Sequence, residues 1–142
     1  MTTEAVVFCD GSASPNPGVE GLGAVIVTSA GRVELYNGGG RGTNNTAELG
    51  AALLALEALP AQCRVVVYSD SQYLVYGMTK WVAGWRRKGF VRGGEPIPNA
   101  DLWRRLDSLN SGRAISWGWV RGHNGNRGNE LADKLATLGR RQ

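Results

Sequence analysis

The order of apolar and polar positions along the chain predicts an alternation of strands and helices. Short apolar runs predict strands at residues 6–9 and 23–27, and an alternating run predicts a third at 33–36. The turn-rich stretch SPNPGVEG connects the first two strands, and SAGR forms a tight reversal before the third. We therefore expect the first three strands to form an antiparallel meander.

A helical pattern follows the GGGRG stretch. The segment TNNTAELGAALLALEAL starts with capping residues and repeats apolar side chains at helical spacing until Pro60 stops it. A second β-branched run at 64–68 is reached through this helix. Because a strand reached by a helical crossover pairs in parallel, we expect it to lie beside the first strand.

The second half of the chain predicts more helix and one further strand. Short helices are expected at 71–78 and 80–88, and PNADLWRRLDSLN predicts a longer helix capped by Asn. Residues 114–120 predict a last strand and GHNGNRGN a loop. NELADKLATLG predicts a closing helix whose basic end suits its dipole. The pattern predicts an α/β fold in a single domain over residues 1–142.

Composition narrows the class of protein. A chain of 142 residues can bury a hydrophobic core large enough to fold without stabilising disulfides or bound metals. No apolar run approaches the ~18 residues of a membrane span, and the opening segment lacks a basic signal region, so we expect a cytoplasmic protein. Cys9 and Cys63 lack metal-site spacing and are expected to be reduced and structural. The absence of an apolar stripe that demands a partner favours a monomer.

The positive charge of the chain is concentrated in one segment. The net charge is only +4, but no acid lies between Ser71 and Gly94, where five basic residues occur. Within this segment, WVAGWRRKGF places Trp81 and Trp85 four residues apart, on one helical face. The segment is typical of a surface that contacts phosphates and sugars. The alternative is that both rings are core aromatics and the charges form a solvated face.

Two acids follow β-branched runs that are expected to be neighbours. Asp10 comes after the first run and Asp70 after the second, so parallel pairing would bring them to the same sheet edge, about 4.8 Å apart. Carboxylates so close repel each other, and a divalent cation can hold both ionised. The alternative for Asp10 is that it only forms a turn.

Three further residues are candidates for the same site, and each has an alternative interpretation. Glu48 lies in the first turn of the predicted helix, but Asn45 and Glu48 also resemble a capping box. Asp133 lies on the last helix, where it could be a solvated acid paired with a base. His123, the only histidine, lies in a glycine-flanked loop and is either solvent-exposed or a mobile proton shuttle.

Five ordered blocks of sequence resemble the type 1 ribonuclease H family. They are VFCDGSASPNPG, TNNTAELGAALLALEAL, YSDSQYLVYG, ADLWRRL and WVRGHNGNRGNELADKLA, and they extend from about residue 6 to 136. The resemblance implies a five-stranded mixed sheet of order 3-2-1-4-5 flanked by helices. It also implies an enzyme that cuts the RNA strand of RNA–DNA hybrids and leaves 5′-phosphate and 3′-hydroxyl ends.

The resemblance assigns roles to the candidate acids. Asp10, Glu48, Asp70 and Asp133 match four carboxylates that bind two Mg²⁺ ions, with Mn²⁺ as an alternative metal. Asp10 would bridge the ions, Glu48 and Asp70 would serve one of them, and Asp133 the other. His123 matches a mobile histidine that assists proton transfer or product departure.

The resemblance also implies a set of contacts to the hybrid. The residues that match contact positions are Asn16, Thr43, Asn44, Asn45 and Gln72 near the cut, and Trp81, Trp85, Arg86, Arg87 and Lys88 in a basic protrusion. For Thr43 and Asn44, helix capping is an alternative or additional role. Two other functions are kept open: a related metal-dependent DNA nuclease such as an integrase or junction resolvase, and a silent hybrid-binding module.

Overall fold

The computed structural model describes residues 3–122 and 124–142, and its first three strands form the predicted antiparallel meander. These strands are β1 (Thr3–Ser14), β2 (Gly18–Thr28) and β3 (Gly31–Gly42). The prediction that β1 ends before Asp10 is wrong, since its pairing with β2 continues to Ser14↔Val19. The polar and glycine-rich residues from Asp10 to Ser14 were predicted to form a loop, but their backbone groups pair with β2 as those of the apolar residues do.

In the described residues, five α-helices and four strands follow the meander. In chain order they are α1 (Asn44–Glu57), β4 (Cys63–Ser69), α2 (Gln72–Tyr76), α3 (Val82–Arg87), β5 (Val91–Arg92), β6 (Glu95–Pro96), α4 (Ala100–Asn110), β7 (Ala114–Trp119) and α5 (Arg127–Arg140). A π-helical turn, Gly77–Trp81, joins α2 to α3, so the two predicted short helices form one continuous helical arm. The two-residue strands β5 and β6, which the sequence pattern did not predict, pair with each other.

The main sheet has the order β3-β2-β1-β4-β7. β4 pairs in parallel with β1 and with β7, as expected for strands reached through helical crossovers. The predicted five-stranded mixed sheet and its order are therefore confirmed. Its fifth strand is β7 in this numbering because the β5–β6 pair intervenes along the chain.

Helices pack on both faces of the sheet. Val7 of β1, Val67 of β4, Leu49 of α1 and Trp103 of α4 are fully buried in one apolar cluster. Helix α5 lies on the opposite face, where Gly23 of β2 touches its backbone. None of the helices in the described part of the chain is both long and apolar enough to span a membrane.

Two helix caps differ from the predicted ones. Thr43 caps α1 and forms a reciprocal capping box with Thr46, in place of the Asn45–Glu48 pair. Asn99 precedes α4 in a left-handed conformation, with φ 59°, and its side chain does not cap the helix. Its amide instead donates to the hydroxyl of Tyr73 at 3.0 Å, which ties α4 to α2.

Candidate active site

Asp10 and Asp70 lie where β1 and β4 separate. The last parallel pair between the two strands is Phe8↔Tyr68, and each acid comes two residues later. Asp10 lies within β1, whereas Asp70 directly follows the end of β4. Because β1 continues along β2 while β4 ends at Ser69, a cleft opens at this point. The expected meeting of the two acids is confirmed, although Asp10 lies within β1 and not at its end.

Glu48 is brought to the same place by close packing of α1 on β1. A Cβ atom at Gly11 would lie 2.0 Å from the carbonyl oxygen of Ala47, so only glycine permits this approach. The carboxylate Oε1 of Glu48 accepts the backbone N–H of Gly11 at 2.5 Å, and the residue is only 9% exposed. Since Thr43 and Thr46 already form the capping box, the capping alternative for Glu48 is wrong.

The three acids form a compact cluster. Ligand oxygens of Asp10, Glu48 and Asp70 all lie within 4.8 Å of one another. Asp133, on α5, is not part of this group, but it lines the same open cleft of ≈ 410 Å³. The structure thus brings all four predicted acids to one cleft.

The cluster disfavours its own ionisation. Burial raises the pKa of Asp10 from its usual 3.8 to about 7, and the charge of Asp70 adds to the rise, while a hydrogen bond with Glu48 opposes it. Burial, followed by the charge of Asp10, likewise raises the pKa of Glu48. A divalent cation would relieve both effects, and three clustered carboxylates are the oxygen donor set that Mg²⁺ and Mn²⁺ prefer.

Uncharged polar side chains surround the acids. Asn44, Asn45 and Gln72 line the cleft. The carbonyl oxygen of the Asn44 side chain accepts the N–H of Ala13 at 2.8 Å, and that of Asn16 accepts the N–H of Asn44 at 3.1 Å. The side-chain oxygens of Asn16 and Asn44 are therefore used to fix the loop, which leaves their NH₂ groups to donate to a ligand.

The two tryptophans of the basic segment have different environments. Trp81 is 44% exposed, whereas Trp85 is half-buried, with its ring centroid 5.0 Å from that of Trp103. The core-aromatic alternative thus describes Trp85 in part, but not Trp81. Trp81 and Trp85 still contact each other, with ring centroids 6.0 Å apart.

The three basic residues that follow also differ. Arg86 donates from Nε and Nη2 to the buried carboxylate of Asp107, at 2.9 Å and 2.7 Å. This hydrogen bonding raises the pKa of Arg86. Arg87 and Lys88 are exposed and line a surface cavity beside Trp81. The predicted contact set therefore contains one cation that is already engaged within the fold.

Several residues at the site were missed by sequence reasoning. Ser12, Ser71 and Tyr73 also line the cleft, and the indole N–H of Trp119 donates to the backbone oxygen of Asp70 at 3.0 Å. Ser12 had a usable signal, since it lies two residues after Asp10 on the same strand. His123 lies outside the described residues, so its predicted role stays a prediction.

Comparisons with known proteins agree with the family resemblance of the sequence. The family model for RNase H matches residues 2–141. The ribonuclease H of Methylorubrum extorquens (strain PA1) is 47% identical over 137 residues, which cover 96% of this chain and 60% of that protein. The ribonuclease H of Cupriavidus pinatubonensis is 45% identical, with 96% of this chain and 94% of that protein covered.

A solved structure extends the agreement to the fold. The crystal structure of LC9-RNase H1, described as a type 1 RNase H with the type 2 active-site motif, superposes with a TM-score of 0.86. Its sequence is 31% identical, and the match covers 97% of this chain and 72% of that one. The resemblance found in the sequence blocks is thereby confirmed, and this chain belongs to the ribonuclease H family of endonucleolytic hydrolases.

Proposed function

We propose that this chain hydrolyses the RNA strand of RNA–DNA hybrids at internal positions and leaves 5′-phosphate and 3′-hydroxyl ends. The observation that carries the proposal is the acid cluster, with oxygens of Asp10, Glu48 and Asp70 within 4.8 Å. Membership of the ribonuclease H family supports the choice of substrate. The acids lie in a cleft that opens to the surface, where a strand of nucleic acid would have to approach them.

Two Mg²⁺ ions fit the donor set of this cleft, and Mn²⁺ would suit the same oxygens. Glu48 and Asp70 would hold one ion and Asp133 the other, with Asp10 as a ligand of both. When bound, the pair would activate the attacking water and neutralise the charge that develops on the phosphate and the leaving oxygen.

The contribution of the surrounding residues is to hold the carboxylates of the site in place. The N–H of Gly11 fixes the carboxylate of Glu48, and the indole of Trp119 fixes the backbone that carries Asp70. Burial raises the pKa of Asp10 and that of Glu48, so metal binding, which requires both carboxylates to be ionised, would be coupled to proton release. We assign His123 a role in proton transfer or product departure beside this cluster.

Recognition of RNA would depend on the amides around the acids. A 2′-hydroxyl both donates and accepts hydrogen bonds, and it is the group that separates RNA from DNA. Asn16 and Asn44 have donors left over from their backbone contacts, and Asn45 and Gln72 are exposed beside them. We assign these four amides to the hybrid near the cut, and Thr43 with Asn44 to a phosphate of the DNA strand.

The helical arm from α2 to α3 would hold the hybrid away from the cut. The exposed ring of Trp81 offers a surface for a sugar, with Trp85 supporting it from below. Arg87 and Lys88 supply charge for phosphates. Arg86 would contribute mainly by holding α3 against α4 through Asp107.

The test is cleavage of four end-labelled substrates: RNA–DNA hybrid, duplex RNA, duplex DNA and single-stranded RNA, each with Mg²⁺ and with EDTA. We expect loss of the RNA strand of the hybrid alone, only with Mg²⁺, and ends that a ligase can join without prior phosphorylation. Cleavage of duplex DNA would contradict the proposal in favour of a DNA nuclease. Binding of an intact hybrid without cleavage would contradict it in favour of a silent binding module.

A further inference from the structure

We infer that Arg140, held by Ser12 at the margin of the acidic cleft, binds a phosphate of the RNA strand next to the one that is cut. The inference rests on the proposed function, since it concerns the same substrate. It adds a contact on α5, far along the chain from the amides and the basic arm.

Helix α5 lies close enough to the sheet for its side chains to reach the cleft. A Cβ atom at Gly21 would lie 1.9 Å from the carbonyl oxygen of Ala136, and one at Gly23 would lie 2.4 Å from that of Ala132. The helix backbone therefore packs directly on β2. Asp133 and Arg140 are seven residues apart, which places them on the same face of α5, two turns from each other.

The side chain of Arg140 is directed back to the cleft and not out from the end of its helix. Its Nη1 donates to the hydroxyl of Ser12, and its Nη2 donates to the hydroxyl of Thr137 at 3.5 Å. Ser12 itself lines the cleft. Because alternate residues of a strand share a face, Ser12 lies on the same side of β1 as Asp10, about 7 Å further along.

The charge of Arg140 is not neutralised within the fold. In residues 3–122 and 124–142, no carboxylate oxygen lies within 4.0 Å of its nitrogens, whereas Arg86 and Arg105 are paired with Asp107 and Glu57. The planar guanidinium still has N–H donors to spare, and its fork suits a phosphate. A cation at this margin would offset the repulsion between the acids and an incoming strand.

The spacing indicates which phosphate is bound. The scissile phosphate must meet the cluster around Asp10. Arg140 contacts Ser12, which lies two residues, about 7 Å, further along β1 than Asp10. A phosphate at Arg140 would therefore belong to the same strand as the cut and be a near neighbour of the scissile one. The opposing explanation is that Arg140 only ties the end of α5 to β1.

The test compares Arg140→Gln with Arg140→Lys and with Arg141→Gln, which removes an exposed charge one residue away. Steady-state cleavage of hybrid would be measured with Mg²⁺, together with thermal unfolding of each variant. We expect Arg140→Gln to raise KM about tenfold with little change in kcat. Arg140→Lys should recover most of the loss, because it keeps the charge, and Arg141→Gln should behave as the parent.

Hybrid binding in an Asp10→Asn background separates this inference from the proposed function. There, adding Arg140→Gln should lower the slope of log affinity against log salt by about 1, whether or not the parent cleaves hybrid. An unchanged KM and salt slope, with a lower unfolding temperature, would assign Arg140 to a structural tie and overturn the inference. A loss confined to kcat would overturn it as well.

Discussion

Glu48 and Gly11 form the contact that joins helix α1 to strand β1 at the acidic cleft. The carboxylate oxygen Oε1 of Glu48 accepts the backbone N–H of Gly11 at 2.5 Å, and the absence of a side chain at Gly11 allows the helix to come this close. The same approach buries the carboxylate and places it beside Asp10. The position of this proposed metal ligand is thus set by a glycine in the neighbouring strand.

Gly11→Ala is expected to impair both folding stability and cleavage. The new methyl group would lie 2.0 Å from the carbonyl oxygen of Ala47, so α1 must move and carry Glu48 with it. We expect a loss of about 1–3 kcal/mol in the free energy of unfolding, and a fall in kcat of at least tenfold.

Gly84→Ala is the matched control for that change. Gly84 lies in helix α3, and the nearest atom to its added methyl would be 3.8 Å away. It should leave cleavage unchanged and stabilise the fold by up to about 1 kcal/mol. Urea unfolding and hybrid cleavage measure both effects. Equal behaviour of the two alanine variants would show that the close approach at Gly11 is unimportant.

Asp10→Asn is expected to stabilise the metal-free protein above neutral pH. Burial raises the pKa of Asp10 to about 7 in the folded state, so between about pH 4 and pH 7 the folded chain binds a proton that the unfolded chain has released. The free energy of unfolding must then fall as pH rises through that window. Asparagine removes this term, and we expect a gain on the order of 2 kcal/mol at pH 8.

Urea unfolding in EDTA at pH 5 and pH 8 measures the difference. The parent should lose more stability than Asp10→Asn between these values, and Mg²⁺ should restore the parent at pH 8. If the variant were no more stable than the parent at pH 8, ionisation of the buried Asp10 would not lower the free energy of unfolding, which would contradict this account.

Arg86→Gln and Arg87→Gln are expected to act on different properties. Arg86 is bonded through two nitrogens to the buried carboxylate of Asp107, so its loss leaves that acid without its partner. We expect a lower unfolding temperature for Arg86→Gln. Arg87→Gln, at an exposed position, should keep the unfolding temperature and raise KM for hybrid. The reverse assignment of the two effects would contradict the structure of this arm.

Trp81→Ala and Trp85→Ala are likewise expected to act on different properties, the first on hybrid binding and the second on folding stability. Trp85 packs on the fully buried Trp103, and its truncation is expected to cost about 2 kcal/mol of unfolding free energy. Trp81 is 44% exposed, so Trp81→Ala should weaken hybrid binding with a much smaller loss of stability. Calorimetry and anisotropy titration with labelled hybrid would record both. A core role for Trp81 would instead appear as a large loss of stability.

Much of the fold was predictable because its signals are local. Apolar periodicity and the crossover rule were enough to predict the meander and the parallel pairing of β4 with β1, whereas the full sheet order was implied by the family resemblance. The end of β1 was not predictable from that signal, since Asp10, Gly11 and Ser12 continue the backbone ladder without apolar side chains. The β5–β6 pair is only two residues a strand, too short for any periodicity to register.

In the candidate site too, some features were predictable from the sequence and others depend on tertiary packing. The meeting of Asp10 and Asp70 followed from strand register, whereas the position of Glu48 depends on how closely α1 approaches Gly11. No sequence pattern reports that distance. Arg86 and Arg87 are likewise indistinguishable as neighbouring bases, and only the packing of α3 against α4 reveals that one of them is bonded to Asp107.

Single-turnover cleavage of end-labelled hybrid by the parent and by Asp10→Asn, with binding measured on the same hybrid, tests the central claim most directly. If Asp10 is the shared ligand of a metal-dependent site, the variant should bind hybrid at least as well as the parent and cut its RNA strand at least a thousandfold more slowly, on the order of the loss of a main catalytic group. Cleavage by Asp10→Asn at a rate close to that of the parent would contradict the placement of the reaction at this acid cluster.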